Sequence, residues 1–224
     1  MVAPNVTAAA TETVVYQGQF GEFTIEVGDR RSVVIYRAGL ALSALSFALG
    51  TTLFLWRGND VVILHSLTIL YALFSLGLGI SLLTIHIYLR PLHRLLQLFW
   101  LVGTVAATSF AWHGAPQPLA QIVYTQPLTI LGIGFTFAAL TGICFKEAFC
   151  FNRLETKLLT PLLPALLLGH LTSALPLLVE RGLLVAGSIL LMIFASRKAI
   201  QAIPPDIGDK SVFAYLAVQA QMSD

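Results

Sequence analysis

Long apolar stretches alternate with short polar ones along most of the chain. Stretches such as LALSALSFALGTTLFLW are apolar or small on every side, whereas the strands of a membrane β-barrel would alternate apolar and polar residues. A run of about 20 apolar residues is long enough to cross the hydrocarbon of a bilayer as a helix. Six runs approach that length, at residues 33–56, 61–89, 95–112, 119–145, 161–179 and 182–196.

The predicted fold class is therefore all-α: a polytopic membrane bundle of six transmembrane helices over residues 31–200. Composition supports this class, because 57% of the residues are hydrophobic and only 11% are charged. A soluble chain of this size could not bury so much apolar surface. Residues 1–30 are predicted to form a cytoplasmic N-terminal tail, and residues 201–224 a cytoplasmic C-terminal tail.

The N-terminal tail contains a short pattern of a different kind. In residues 14–27, VVYQGQFGEFTIEV, apolar residues including Phe23 and Ile25 alternate with polar ones, which predicts a strand. Gly18 and Gly21 can turn the chain, so the prediction is a small β-like hairpin on the cytoplasmic face. The alternative is a loosely ordered tail, because chain termini fray.

Basic residues are unevenly divided between the two faces that six spans would create. Both termini would share one face with the turns after the second and fourth spans. That face carries 11 of the 13 Lys and Arg residues, and the other carries Arg57 and Arg181. Because basic loops stay on the cytoplasmic side, both termini are predicted to be cytoplasmic, or in the equivalent compartment of an internal membrane.

Small residues recur at four-residue spacing within the predicted spans. Examples are Gly39 with Ser43 and Gly77 with Ser81. Such rows let helix backbones approach closely, which is how bundles pack where lipid removes the hydrophobic drive. A compact bundle is therefore predicted, with a conduit lined by these rows as the alternative.

The segment GICFKEAFCFNRLETK, residues 142–157, is predicted to connect the fourth and fifth spans on the cytoplasmic side. As a helix it would place Lys146, Arg153 and Lys157, at spacings of seven and four, on one stripe. Nearby phenylalanines would make it a basic segment at the membrane interface. Asn152, followed three residues later by Glu155, also fits an N-cap with its partner.

Catalytic and metal roles are not predicted for this segment. Cys144 and Cys150 are six residues apart, so on one helix they would point in directions about 120° apart. Two cysteines also give too few thiolates for a four-cysteine metal site. Lys146 and Glu147 are predicted to be an interfacial charge pair or a partner contact, because no nucleophile or further carboxylate is grouped with them.

Candidate chemistry inside the predicted spans is confined to histidine. The six runs contain no Asp or Glu at hydrocarbon depth, which disfavours proton-coupled carriers, and no catalytic fingerprint occurs. His170 stands mid-span in LLPALLLGHLTSALP among small residues that leave room for a flat ring. It is a candidate ligand for a tetrapyrrole metal. The alternative is a histidine that is hydrogen-bonded to a neighbouring helix.

Four stretches carry a family resemblance: YQGQFGEFTIEVGDR, VVIYRAGLALSALSFALG, GICFKEAFCFNRLE and LLPALLLGHL. Together they resemble a family of uncharacterised integral membrane proteins from cyanobacteria, with relatives in plastids. The resemblance covers most of residues 14–200. It implies a photosynthetic membrane, the thylakoid, and a role near photosynthesis, and it carries over no catalytic or binding residue.

These observations predict a non-enzymatic accessory or assembly protein of a photosynthetic membrane complex. A carrier or channel for a small solute, and a chlorophyll- or carotenoid-binding protein, are the alternatives. Membrane lipids and a larger photosynthetic complex are the expected partners, and nucleic acid is not. No cofactor is predicted unless a pigment is bound. The predicted partner-binding residues are Phe23, Ile25, Lys146, Glu147, Arg153 and Lys157.

Overall fold

The computed structural model describes residues 14–58 and 60–222, and it is mostly helical, as predicted. The chain divides into two compact units, one formed by Val34–Gln201 and the other by the described parts of Met1–Val33 and Ala202–Asp224. Two strands and nine α-helices are found in the described residues: β1 (Val15–Gly18), β2 (Gly21–Thr24), α1 (Val27–Arg57), α2 (Val61–Thr84), α3 (Arg90–His113), α4 (Leu119–Thr125), α5 (Ile130–Phe151), α6 (Leu154–Leu171), α7 (Leu177–Ile200), α8 (Pro204–Ile207) and α9 (Ser211–Met222).

Five of the described helices are long and apolar enough to cross a membrane. They are α1, α2, α3, α5 with the turn before it, and α7. The predicted number of six is not confirmed, because α6 is shorter and carries Glu155 and Lys157 in its first turns. Its 18 residues would extend about 27 Å, slightly less than the thickness of a typical hydrocarbon core.

The predicted fifth span, residues 161–179, is wrong as a single helix. Helix α6 ends at Leu171, and Ser173 takes a left-handed conformation, with a φ of 51°, that stops the helix. Helix α7 then begins at Leu177, directly after Pro176. The expected turn at residues 179–182 therefore lies inside α7, and the real connection is several residues earlier.

The predicted fourth span, residues 119–145, is also divided. A short 3-10 turn at Pro127–Thr129 separates α4 from α5. Proline has no N–H to donate, and it pushes the preceding residue, Gln126, away from helical geometry. Gln126 accordingly has φ −127° and ψ 77°. Helix α5 then continues to Phe151, six residues beyond the expected end of the span.

Helices α1 and α2 cross with their backbones in close approach at Gly39 and Gly77. A Cβ atom on either glycine would lie 2.6 Å from the carbonyl oxygen of the other, so no larger residue fits. The hydroxyls of Ser43 and Ser81 each donate to a backbone carbonyl of the opposite helix, at 2.9 and 3.0 Å. The small-residue rows of these two helices therefore form a packed contact, as predicted.

The main hydrophobic core lies among α1, α2, α5, α6 and α7. Its fully buried side chains include Leu40, Leu78, Leu140, Leu159 and Leu191, with one from each of these helices. Helix α6 packs between α5 and α7. Apolar packing on several sides therefore holds these five helices together.

The described parts of the two tails contact each other within the terminal unit. Strands β1 and β2 form the predicted antiparallel hairpin, in which Gly18 pairs with Gly21. The Asp209 carboxylate accepts hydrogen bonds from the backbone N–H groups of Gln19, at 2.6 Å, and Ser211, at 2.9 Å. Asp209 therefore links the hairpin to the start of α9.

We expect the link through Asp209 to be lost in acid. Hydrogen bonds from the Ser211 hydroxyl and then the Gln19 N–H hold the pKa of the Asp209 carboxyl below its usual value. A lowered carboxyl pKa adds stability above the unfolded value of about 3.9, and that contribution disappears as the pH falls through the folded value. The amide proton shift of Gln19, followed by NMR in detergent micelles, should titrate with a midpoint below about 3.9. A midpoint at or above 3.9, or an unchanged titration in Asp209→Asn, would contradict this link.

Candidate functional site

The junction between α5 and α6 is made by two residues with different backbone geometry. Asn152 adopts the left-handed conformation, with φ 53°, and its N–H donates to the Ala148 carbonyl at 3.0 Å. It therefore caps the C-terminus of α5, a position where asparagine is well tolerated. Arg153 precedes α6 as its N-cap. The prediction that Asn152 begins a helix is wrong, because it ends one.

This junction separates the predicted basic stripe. Lys146 and Glu147 lie on α5, whereas Lys157 lies on α6. Lys157 is exposed, but the Lys146 side chain is only 11% exposed and Arg153 is half-buried. The single stripe is therefore wrong, because the chain turns between Asn152 and Arg153.

Glu147 is the centre of a buried charge cluster. One carboxylate oxygen, Oε2, lies 2.6 Å from Nζ of Lys198, and both side chains are 0% exposed. The other oxygen, Oε1, lies 2.9 Å from Nζ of Lys146 and accepts a hydrogen bond from the Tyr36 hydroxyl at 3.3 Å. Glu147 therefore joins α1, α5 and α7. Of its two predicted roles, the charge pair with Lys146 is present, whereas its fully buried side chain does not lie on a surface that a partner could contact.

Aromatic and polar neighbours complete this cluster. Nζ of Lys198 lies 4.1 Å from the centre of the Phe151 ring, and the Arg153 guanidinium lies 5.5 Å from the same ring. Arg153 also donates to the side-chain oxygen of Gln201. The negative face of an aromatic ring attracts cations, most strongly when they have lost water. The Glu147–Lys198 pair at its centre is closed to solvent, and the cluster is a structural connection between helices.

A cavity of about 320 Å³ lies elsewhere in the bundle, among α1, α2, α4, α5, α6 and α7. Apolar and small side chains form nearly all of its wall, including Gly50, Leu67, Phe137, Leu163 and Leu184. Gly50 faces it without crowding, since a Cβ there would meet nothing closer than Leu67 at 3.7 Å. Space of this kind can accept an apolar molecule.

His170 lies on the wall of this cavity, in the last turn of α6. Its predicted mid-span position is wrong, because the helix ends one residue later. Nδ1 of His170 is 2.9 Å from Oε1 of Glu180 on α7, and its ring centre is 5.4 Å from that of Tyr124. The expected bond to a neighbouring helix is thus present, but the partner is a carboxylate that the predicted spans had left in a loop.

A more polar recess opens beside the same end of the cavity. Its lining includes Arg57, Asp60, Gln121 and Arg181, and we call it the vestibule. Arg181 and Tyr124 line both the vestibule and the cavity. Arg57 and Arg181, the two basic residues that the sequence assigned to the face with few Lys and Arg, therefore both line the vestibule. Their separation from the other basic residues was the signal in the sequence that could have identified this site.

The cavity is large enough to hold a small molecule. Its volume is near the lower end of the range of roughly 300–1,000 Å³ found for small-molecule sites. Within the described residues, no group of three or more His, Cys, Asp or Glu side chains is arranged to hold a metal ion. Cys144 is buried and Cys150 is exposed. The cavity thus combines an apolar wall with polar side chains at one end, among them His170, Glu180 and Arg181.

Residues 80–215 match the model of a family described as uncharacterized integral membrane protein, DUF2301. The chain belongs to this family. No curated protein and no solved structure matches the chain. The DUF2301 match includes both the buried Glu147–Lys198 pair and the His170–Glu180 pair. It therefore spans the charge cluster and part of the cavity wall, and it supports the integral membrane class expected from the sequence.

The buried pair generates a stability prediction. Breaking a buried ion pair costs about 3–5 kcal/mol when the remaining charge is left without a partner. Lys198→Met removes the buried cation but leaves Glu147 paired with Lys146 at 2.9 Å, so the stability of the purified protein should fall by about 3 kcal/mol, the lower end of that range. Thermal unfolding in detergent, followed by tryptophan fluorescence, measures the change.

Two variants test the cause of that loss. The double variant Lys198→Met with Glu147→Gln should regain part of the stability, because the carboxylate at the fully buried position is then neutral, and Lys146 is partly exposed to solvent. Lys157→Met, at an exposed position of α6, should change the unfolding temperature little. Equal losses for Lys198→Met and Lys157→Met would show that the ion pair contributes nothing specific.

Proposed function

We propose that this protein is a non-enzymatic accessory protein of a photosynthetic membrane, the thylakoid, and that it acts by holding a lipophilic molecule in the cavity. The cavity is the observation that supports the binding of a lipophilic molecule. The family resemblance supports the photosynthetic setting. The proposal also keeps both chain ends on the cytoplasmic side, which the distribution of basic residues over six spans favours.

The size and lining of the cavity support an apolar occupant. The cavity is partly open to its surroundings, so a molecule can enter it. A cavity of 320 Å³ equals the liquid volume of about ten waters, yet its apolar wall offers water few hydrogen bonds. An apolar molecule would regain the dispersion contacts that an empty cavity lacks. Binding of a lipophile therefore stabilises the bundle.

His170 and Tyr71, two titratable side chains on the wall, are each bonded to a neighbouring polar group, which supports binding rather than catalysis. His170 is paired with Glu180, and the Tyr71 hydroxyl is hydrogen-bonded to that of Thr136 at 2.8 Å. A nucleophile with its own general base is the usual mark of covalent catalysis, and the described lining residues show no such grouping. The side chains position a molecule rather than attack it.

Filling the cavity should remove the bound molecule. Gly50→Leu would project into the cavity, where a Cβ meets only ordinary contacts, so the fold should be kept. The tagged protein is purified in mild neutral detergent from a photosynthetic host and extracted with organic solvent. Chromatography of the extract should show one lipophile at about one per chain in the wild type and several-fold less in Gly50→Leu.

Two controls accompany this experiment. Gly50→Ala adds one methyl group and should retain the lipophile, as should Leu49→Phe, which adds bulk at a neighbouring position that is 51% exposed. Equal extracts from all four proteins would refute the binding proposal. If the extract contains chlorophyll and His170→Ala removes its absorption band, His170 is the pigment ligand.

A carrier is the competing function, and the vestibule favours it. A recess that shares Arg181 and Tyr124 with the cavity offers a route from the surface to the binding site. One measurement separates a carrier from an accessory protein that retains its ligand. A carrier moves its ligand across sealed vesicles containing the purified protein, whereas an accessory protein retains it.

Contact with a photosynthetic complex is a further part of the proposal. A two-stranded hairpin leaves one edge of each strand unpaired, and such edges can accept a partner strand. Phe23 and Ile25, the predicted contact residues of the hairpin, are half-buried, and Lys157 on α6 is exposed. Photosystem subunits in the same purification should decrease when residues 1–27 are deleted or Lys157 is changed to Gln. Unchanged amounts in both variants would contradict this contact.

A further inference from the structure

We propose that the cavity takes a single-chain amphiphile with an anionic phosphate head, which Arg57 and Arg181 hold in the vestibule. This inference rests on the proposed function, in which the cavity holds a lipophile. It specifies the ligand class through three observations: the arginines, the carboxylates beside them, and a hydroxyl without a partner inside the cavity.

Arg57 and Arg181 reach the vestibule from two different helices. Arg57 is the last residue of α1, and Arg181 lies near the start of α7. Both side chains are exposed, so an anion can approach them from water. Guanidinium groups bind phosphate through paired N–H donors, which gives orientation as well as attraction.

The nearby carboxylates are engaged elsewhere. Asp60 caps α2, and its Oδ1 accepts a hydrogen bond from the Val62 N–H at 2.9 Å. A helix N-terminus also attracts negative charge, which keeps this carboxylate at α2. Glu180 is directed to His170 at 2.9 Å. The acidic groups are thus held by the protein. The Arg57 guanidinium lies 5.6 Å from the centre of the Trp56 ring, a contact that leaves its N–H donors for an anionic head.

Thr51 supplies an independent observation inside the cavity. Its hydroxyl oxygen is buried and has no hydrogen-bond partner, although the residue lines the cavity. The next residue, Thr52, donates to the Ala48 carbonyl at 2.8 Å, as threonine in a helix commonly does. A buried hydroxyl without a partner is unfavourable, so an acceptor on the ligand would satisfy it.

The position of Thr51 indicates where the ligand needs that acceptor. Thr51 precedes Arg57 by six residues, about 9 Å along the helix axis. An ester carbonyl lies between the phosphate and the acyl chain of a lysophospholipid, and it can reach inward while the phosphate stays with the arginines. The small volume of the cavity suits one acyl chain better than two.

Three probes separate head-group charge from chain binding. Palmitoyl lysophosphatidic acid is anionic, palmitoyl lysophosphatidylcholine is zwitterionic, and monopalmitoyl glycerol is neutral; all three have one acyl chain and one ester. Their affinities are measured by native mass spectrometry on the full chain, delipidated in a neutral maltoside detergent. Lysophosphatidic acid should bind the wild type most tightly.

The variants assign that preference to residues. Arg57→Gln with Arg181→Gln should weaken lysophosphatidic acid about tenfold and leave monopalmitoyl glycerol unchanged. Thr51→Val should weaken all three esters by roughly fivefold. Arg90→Gln with Arg94→Gln, two exposed positions on α3, removes the same charge outside the vestibule and should have no effect. Unfolding temperatures confirm that each variant is folded.

Failure of this inference is distinguishable from failure of the proposed function. The anionic ligand is wrong, while a lipophile site remains, if the neutral or zwitterionic probe binds as tightly as the anionic one. The same conclusion follows if the Arg57/Arg181 and Arg90/Arg94 double variants weaken lysophosphatidic acid binding equally. If no probe binds the wild type, and Gly50→Leu extracts match those of the wild type, the cavity is not a lipophile site.

Discussion

Glu147 and Lys198 are both removed from solvent and lie 2.6 Å apart, with Lys146 as a second cation beside the Glu147 carboxylate. Neither α5 nor α7 can shift along the other without exposing one of these charges to an apolar interior, which is costly. Tyr36 extends the same connection to α1. In a bilayer, where helices gain little from the hydrophobic effect, such polar connections and close backbone contacts determine how a bundle packs. The cavity depends on helices that are held in this way.

The change in spacing between α1 and α2 explains where the cavity forms. At Gly39 and Gly77 the backbones are so close that a Cβ would lie 2.6 Å from a carbonyl oxygen. At Gly50, three turns further along α1, the nearest atom to a Cβ is 3.7 Å away. The helices therefore separate beyond the crossing, and side chains of α4 to α7 surround the space between them without filling it.

The sequence predicted elements well where the signal was local. The apolar runs of α1, α2 and α3, the terminal hairpin and the row of small residues at Gly39 and Ser43 are features of neighbouring residues. Helix ends were harder, because Asn152 fits both an N-cap and a left-handed C-cap. The Glu147–Lys198 pair was missed, since its members are 51 residues apart and only tertiary packing brings them together. His170 was a candidate, but Glu180 was not, because the expected turn at residues 179–182 kept it outside the helices.

A lipophile that occupies the cavity can be located directly by crystallography. Crystals grown from a lipidic mesophase would be soaked with a single-chain amphiphile brominated near the end of its chain, and the bromine located by its anomalous scattering. The account predicts a bromine peak inside the cavity, close to Gly50 and Leu163. Bromine found only on the lipid-facing surface, with the cavity closed by surrounding side chains, would contradict it.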